Sequence, residues 1–276
     1  MTKFTLDNGK SVVKPFNKFW IVLGILGALI IFFSLFITFT PSLINLGELG
    51  VIINKMFTPK AGRTWGDYFG FMLTLWEPLL ATLEMSLAGT VIGSLLAVPI
   101  AILAAKNIFK SKWIYMPIRL YMNLVRTIPA MVLAVVAVYF VGIGVLSGMI
   151  AITIFTFGIM SKMLYEVIET VDMNPYEALE STGASKVQAF RYAVFPQIFP
   201  VFLSYLIYIF EINVRASAIL GYVGAGGIGM VIKDNILYNY DRVGSTLILM
   251  LIVILSVQFF SNYVRGKLQW QISNKH

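Results

Sequence analysis

The chain has 276 residues, 58% of them hydrophobic and 12% charged, against about 45–50% apolar and about 25% charged in an ordinary soluble domain. It has no cysteine, and its single histidine is the terminal His276, which excludes a disulfide framework, thiolate chemistry and a paired-histidine metal site. The formal charge of +8 fits either a nucleic-acid binder or a membrane protein with basic cytoplasmic loops, and the position of the charges along the chain decides between them.

Residues 1–19 form a basic leader holding Lys3, Lys10, Lys14 and Lys18. Gly9-Lys10-Ser11 matches the end of a P-loop, but the first glycine of that motif would fall at Phe4, and no strand is expected before it. ATP binding by this chain is therefore not expected. The apolar run from Trp20 to about Phe39 exceeds the about 7–15 residues of a signal-peptide core and ends in ITFTP, without small cleavage-site residues. It reads as a retained membrane anchor over residues 20–40.

Residues 41–77 mix Asn, Gly, Pro and charges with Leu, Ile, Phe and Trp, as expected of an ordered amphipathic external loop. Five more apolar runs follow, at about Pro78–Ala104, Pro117–Val141, Val145–Tyr165, Gln197–Leu220 and Val243–Val264. Each is near the roughly 20 residues that span a bilayer core. Gly89/Gly93 and Gly144/Gly148 have the small-xxx-small spacing that lets helix backbones approach closely in lipid.

The basic residues sort by side. Four lie in the leader, with Lys106, Lys110, Lys112 and Arg119 in one loop, Lys186 and Arg191 in another, and Arg265, Lys267 and Lys275 towards the end. Only Lys55, Lys60, Arg63, Lys233 and Arg242 fall on the other side. Because cytoplasmic loops carry the excess of Lys and Arg, the expectation is an all-α integral membrane protein with six transmembrane helices and both termini inside. The lipid bilayer accounts for the +8, and no nucleic acid is expected as a partner.

One polar stretch, NPYEALESTGASKVQAFRYAVFP (174–196), separates the fourth and fifth runs. Asn174 followed by Pro175 and Glu177 predicts a capped helix start, and Gly183 a left-handed helix end. Ser185 and Gln188 predict a second capping box, with Val187, Phe190, Val194 and Phe195 on one face until Pro196 stops the helix. An amphipathic connector resting on the membrane fits the second helix but not the first, where Glu177 and Glu180 would meet anionic lipid and Ala178 offers a small surface for another protein.

Glu177-Ala178, then Gly183, then an apolar stretch ending at Pro196 resembles the EAA loop of the permeases of ABC importers. Over about residues 75–265 the likeness extends to ATLEMSLAGT (81–90), NLVRTIPAMVLA (123–134), FTFGIMSKMLYEVIETVD (155–172) and NVRASAILGYVGAGGIG (213–229). These are similar to the phosphonate importer permeases, with the methionine and glycine betaine permeases as near neighbours; Leu179 and Phe195 depart from the common motif. The resemblance implies a type I importer fold with a permease core over 78–265 and a tail over 266–276. It implies that Glu177, Ala178, Gly183 and Pro196 belong to a pair of cytoplasmic coupling helices that receive an ABC ATPase. ATP and Mg would be bound by that partner, and a second permease copy, identical or a close paralogue, and an external substrate-binding protein would complete the assembly.

Gly224, Gly226 and Gly229 match G-x-G-x-x-G, but they follow a membrane run where a dinucleotide fingerprint requires a strand. With Gly227 they read as a close-packed turn on the outer face, which the resemblance places near an external gate. Charges at membrane depth are costly and are candidates for a path or a structural pair. Arg126 is one, beside Pro129, and its guanidinium suits either an anionic group or a structural role at a gate. Arg215 is another, with Glu211 one helical turn before it as a neutralising partner; Lys162 and Glu84 stand behind. Thr153, Thr156 and Met160 share a face of the fourth run and are candidate path-lining residues. A membrane enzyme would need nucleophile, base or metal ligands that this composition lacks. A stand-alone secondary transporter would usually show inverted repeats, and none is evident.

Overall fold

The computed structural model describes residues 3–5, 11–13, 18–36 and 46–273, with side chains over 19–36 and 47–268. Lys10, Lys14, the ITFTP end of the first run, Lys275 and His276 lie outside the described residues. Two units follow from the backbone contacts, Met1–Val51 and Ile52–His276.

The first unit holds a two-stranded antiparallel pair, β1 (Lys3–Thr5) and β2 (Ser11–Val13), in register Lys3 with Val13 and Thr5 with Ser11. The all-α expectation, which the helices otherwise meet, omitted this short pair; Phe4, Thr5, Val12 and Val13 are aromatic or β-branched residues that fit a pleated strand. Helix α1 (Lys18–Phe36) follows, apolar on all sides with none of its hydrophobic window buried. An all-apolar helix suits a lipid surround. Helix α2 (Leu46–Phe57) begins at the end of this unit.

In the second unit the expected external loop is helical. Helix α3 (Trp65–Thr74) opens with a capping box in which Thr64 accepts from the Asp67 N–H and the Asp67 carboxylate accepts from the Thr64 N–H. The backbone N–H and hydroxyl of Thr64 hold the Asp67 carboxyl below its usual range. Buried Tyr68 donates its hydroxyl to the Met56 carbonyl, fastening α3 to the end of α2.

The remaining helices are α4 (Trp76–Ala104), α5 (Lys112–Thr127), α6 (Ala130–Val141), α7 (Val145–Thr170), α8 (Asn174–Ser181), α9 (Lys186–Ala189), α10 (Phe195–Tyr222), α11 (Ile228–Asn235) and α12 (Tyr240–Ser273). Among the described residues five helices are long and apolar enough to cross a membrane. The expected third span is broken: α5 and α6 meet at 85°, and six spans result only if they count as one. Pro129 explains the break. The residue before a proline is pushed to extended backbone, and Ile128 sits at φ −77°, ψ 120°, followed by Pro129 at φ −61°, ψ 140° as the N-cap of α6.

Helices α4 and α7 run side by side, because α4 presents a stripe of small residues. Thr82, Ser86, Gly89, Thr90, Gly93, Ser94, Ala97 and Ala101 are all buried. Three of the hydroxyls in the stripe are satisfied within the helix, since Thr82, Ser86 and Thr90 each donate to the carbonyl one turn earlier, at 2.5–2.8 Å. A Cβ on Gly93 would lie 2.6 Å from the Thr153 carbonyl oxygen, so the first small-xxx-small pair faces α7. The second pair is split: a Cβ on Gly148 would lie 2.5 Å from the Ala225 carbonyl oxygen and 2.6 Å from Met85 Sδ, whereas Gly144, at φ +147°, precedes α7 and donates its N–H to the Gly224 carbonyl at 3.1 Å.

Candidate functional site

The 174–196 stretch forms two helices joined by a glycine corner. Helix α8 starts one residue earlier than expected: Met173 takes the N-cap position without a side-chain cap, and Asn174, already helical, donates its N–H to the Asp172 carboxylate at 3.0 Å, so the expected Asn174 cap is corrected. Gly183, at φ +91°, ends α8, its N–H bonding the Glu180 carbonyl while the Ala184 N–H bonds that of Leu179. This is the paired closure of a Schellman end. Ser185 and Gln188 form the expected capping box at the start of α9.

Pro196 does not stop the second helix. A π-helical turn at Phe190–Val194 carries α9 into α10, and the Phe195 N–H bonds the Phe190 carbonyl five residues back. The widened turn shifts the ladder just before the proline, whose missing N–H is tolerated at the start of a helix. The apolar face also differs from expectation. Val187 is 78% exposed and Phe195 is exposed, whereas Tyr176, Ala189, Ala193, Val194 and Ile198 are buried against Ala101, Ala104, Met122, Leu164 and Ile168. Burial pushes the Tyr176 hydroxyl above its ordinary range.

Glu177, Ala178, Gly183 and Pro196 are all exposed. Beside them a groove of about 740 Å³ runs between residues 102–111 and the α8–α9 pair, with Lys110, Lys186, Glu177, Glu180, Val187 and Phe109 among its walls. Two contacts that sequence reasoning missed fasten this region to the spans. Arg119 donates twice to the Ala104 carbonyl, at 2.9 and 2.8 Å, pairs with Glu169 and lies 4.4 Å from the Tyr165 ring centre. Gln197 donates to the Asp172 carbonyl at 3.0 Å while its own Oε1 accepts from the Asp172 N–H at 3.2 Å. Arg119 was legible only as a member of a basic loop, and Gln197 only as a polar residue opening a span.

Deeper in, Asn213 of α10 is fully buried and donates to Thr90 of α4 and Thr156 of α7, each at 2.8 Å. Thr156 and Met160 are therefore enclosed among α4, α7 and α10, and Thr153 is partly buried with its hydroxyl on the Met149 carbonyl. Arg126 is exposed on the last turn of α5, beside the bend at Pro129. Arg215 pairs with Glu211, the neutralising partner expected from their spacing. Arg265, counted with the cytoplasmic end in the sequence, instead reaches Glu211 at 3.5 Å and covers the Tyr208 ring. Lys162 pairs with Glu166, and Glu84 is exposed on α4.

Gly224, Gly226 and Gly227 form the turn after α10 at φ 100°, 80° and 69°, and Gly229 lies in the first turn of α11. The packing is close: a Cβ on Gly227 would lie 2.5 Å from Thr82 Oγ1, which accepts from the Ile228 N–H at 2.8 Å. The turn thus seats the start of α11 on α4.

Several apolar spanning helices, one of them broken, with a capped polar helix pair seated on one end, define a polytopic permease of the binding-protein-dependent type. Residues 97–268 match the family described as binding-protein-dependent transport system inner membrane component, and the chain belongs to it. It is a multi-pass component of a bacterial inner membrane. The chain is similar to the phosphite transport system permease protein PtxC of Stutzerimonas stutzeri, 34% identical over 72% of each chain. It is also 34% identical to the phosphate-import permease protein PhnE of Mycolicibacterium smegmatis over 68% of this chain, spanning only 35% of that protein. Among solved structures, the inward-facing MetNI methionine ABC transporter matches with a TM-score of 0.64 over 71% of this chain and 97% of that one, at 23% identity. That likeness shows the fold alone.

Proposed function

We propose that this chain is the translocation subunit of an ATP-driven importer for phosphonate or a related phosphorus oxyanion. The cargo is handed over by an external binding protein, and two permease copies engage two cytoplasmic ATPases, which bind the ATP and Mg. The observation that carries this is the α8–α9 pair. It exposes Glu177 and Ala178 above a groove, is closed at Gly183, and is joined without interruption to α10. Chemistry then resides in the partner and motion in this chain. The two relatives' names support the oxyanion class, and the basic residues flanking α5 and α9 support an orientation with both termini inside.

Arg126 and Arg215 stand along the path in this reading, with the Ile128-Pro129 break as a hinge. The Gly224–Gly229 turn serves as the packed outer gate, and Thr153, Thr156 and Met160 form the wall that Asn213 clasps. Glu177, Ala178, Gly183 and Pro196 meet the ATPase. The test is ATP-driven uptake of methylphosphonate by the reconstituted complex. Glu177→Arg and Gly183→Val are expected to cut uptake at least about tenfold by misaligning the docked partner, while each ATPase still hydrolyses ATP. Undiminished uptake in both variants would overturn the docking assignment.

A further inference from the structure

Helices α10 and α12 meet around two arginines that share one carboxylate. Glu211, with only 6% of its side chain exposed, pairs with Arg215 on its own helix and lies 3.5 Å from Arg265 of α12. The cluster carries a net charge of +1 inside two helices of membrane-crossing length, where an unbalanced charge is costly and marks a pathway or a ligand.

Its hydrogen bonding is also incomplete. Among the described residues the Arg265 Nε–H and the Ser261 hydroxyl are buried without a hydrogen-bond partner, and Glu211 Oε2 makes no hydrogen bond beyond its 3.5 Å ion pair with Arg265. Ser261 is fully buried one turn before Arg265, so both spare donors lie on one face of α12. Arg265 is otherwise held by Asn262, at 2.6 Å, and by the Tyr208 ring at 5.3 Å. Arg215 is 43% exposed and keeps further guanidinium N–H groups.

Spare donors, one spare acceptor and one surplus positive charge together describe a complementary ligand. It is a tetrahedral oxyanion that is singly protonated, accepting from Arg215, Arg265 and Ser261 and donating its own P–OH to Glu211 Oε2. We infer that Glu211, Arg215, Ser261 and Arg265 form a transit site for a hydrogen-bearing phosphorus oxyanion. This rests on the functional reading above and specifies its cargo chemistry. Glu211 has two effects there. It rejects fully deprotonated anions such as sulfate, which have no proton to offer and would set an oxygen against the carboxylate. It also cancels one arginine, so that the anion is held weakly enough to leave, as conduction requires.

A phospholipid headgroup has the same phosphate core but, as a diester, lacks the P–OH, which lets experiment separate the sources. The test uses the purified permease–ATPase complex without binding protein, in nanodiscs of phosphatidylcholine alone, titrated with methylphosphonate and followed by phosphorus NMR line broadening. Saturable broadening is expected, with sulfate competing at least about tenfold more weakly. Ser261→Ala and Arg265→Gln should each weaken binding about tenfold, the loss of one charge-assisted or well-placed hydrogen bond. Glu211→Gln should tighten sulfate relative to methylphosphonate and slow ATP-driven uptake, opposite changes that a purely structural ion pair would not produce.

Absence of saturable broadening in the wild type overturns the site even if uptake by the full complex persists, in which case the importer reading stands. Broadening that the Ser261 and Arg265 variants leave intact overturns it as well. So does native mass spectrometry showing a phospholipid bound at Arg265 that methylphosphonate fails to displace. Loss of uptake for every phosphorus oxyanion in the wild-type complex would instead sink the importer reading.

Discussion

Gln197 and Asp172 clasp one another through a reciprocal pair of hydrogen bonds, side-chain amide to main-chain peptide, at 3.0 and 3.2 Å. A third bond, from Gln197 Nε2 to the Ala193 carbonyl at 2.8 Å, ties the same amide to the π-helical turn. The peptide that precedes α8 is therefore pinned to the first turn of α10, so displacement of the polar helix pair is passed on to a membrane-crossing helix.

Replacing that amide separates the two. Gln197→Leu removes both partners of the exposed Asp172 main chain and is expected to destabilise the junction by about 0.5–1.5 kcal/mol, the net worth of a hydrogen bond whose groups water can still reach. In the reconstituted complex the ATP hydrolysed per substrate imported should rise several-fold, and Gln197→Glu, which keeps one acceptor, should recover part of the loss. An unchanged ratio in the leucine variant would show that the clasp carries no motion.

Gly93 tests the α4–α7 contact. Gly93→Ala places a methyl 2.6 Å from the Thr153 carbonyl oxygen and 2.8 Å from Thr156 Cβ, where backbone must give way. A loss of about 1–3 kcal/mol is expected from overpacking. Gly70→Ala, with nothing within 4 Å, should gain up to about 1 kcal/mol from helix propensity. Thermal unfolding of the detergent-solubilised protein compares the two, and equal midpoints would contradict the packing described.

Arg119 cannot be replaced by lysine without loss. Its fork closes on the Ala104 carbonyl at the end of α4 while pairing with Glu169 and stacking on Tyr165. An ammonium reproduces neither the fork nor the stacking. Hydrogen exchange over residues 105–111 should quicken about tenfold in Arg119→Lys, matching about 1–1.5 kcal/mol of lost protection, and unchanged exchange would refute the contact.

Acid should loosen the start of α3. Bonds from the backbone N–H and the hydroxyl of Thr64 lower the Asp67 pKa. A depressed carboxyl contributes stability above its unfolded value, about 3.9, and that contribution is lost as pH falls through the lower folded value. Protection factors at residues 65–68, taken relative to the intrinsic exchange rate at each pH, should fall from just below pH 4 downward in the wild type. Asp67→Asn should show no such step; a step of equal size there would assign it elsewhere.

The long apolar helices were legible because their residue types leave no alternative to burial or lipid. The capped ends of the polar pair were legible because Gly183, Ser185 and Gln188 act within a few residues of themselves. Cap identity failed at Asn174, which is already helical behind Met173 and gives its N–H to the Asp172 carboxylate. Continuity failed at Pro196, because a proline ends a helix only when the ladder before it stays in register, and a π turn changes that register. Asn213 and Arg265 were missed for a different reason. Their partners lie on helices separated by dozens of residues or more, and nothing local reveals which faces will meet.

The unbroken run from Lys186 to Tyr222 has 37 residues, a rod of about 55 Å at about 1.5 Å per residue. Held as a stiff beam, it amplifies rotation geometrically: a tilt of about 5° at the Lys186 end carries the Tyr222 end sideways by about 5 Å over that length. In the proposed importer, a partner gripping a single turn at the Lys186 end would thereby have enough leverage to shift the Gly224–Gly229 turn by more than the width of a water molecule.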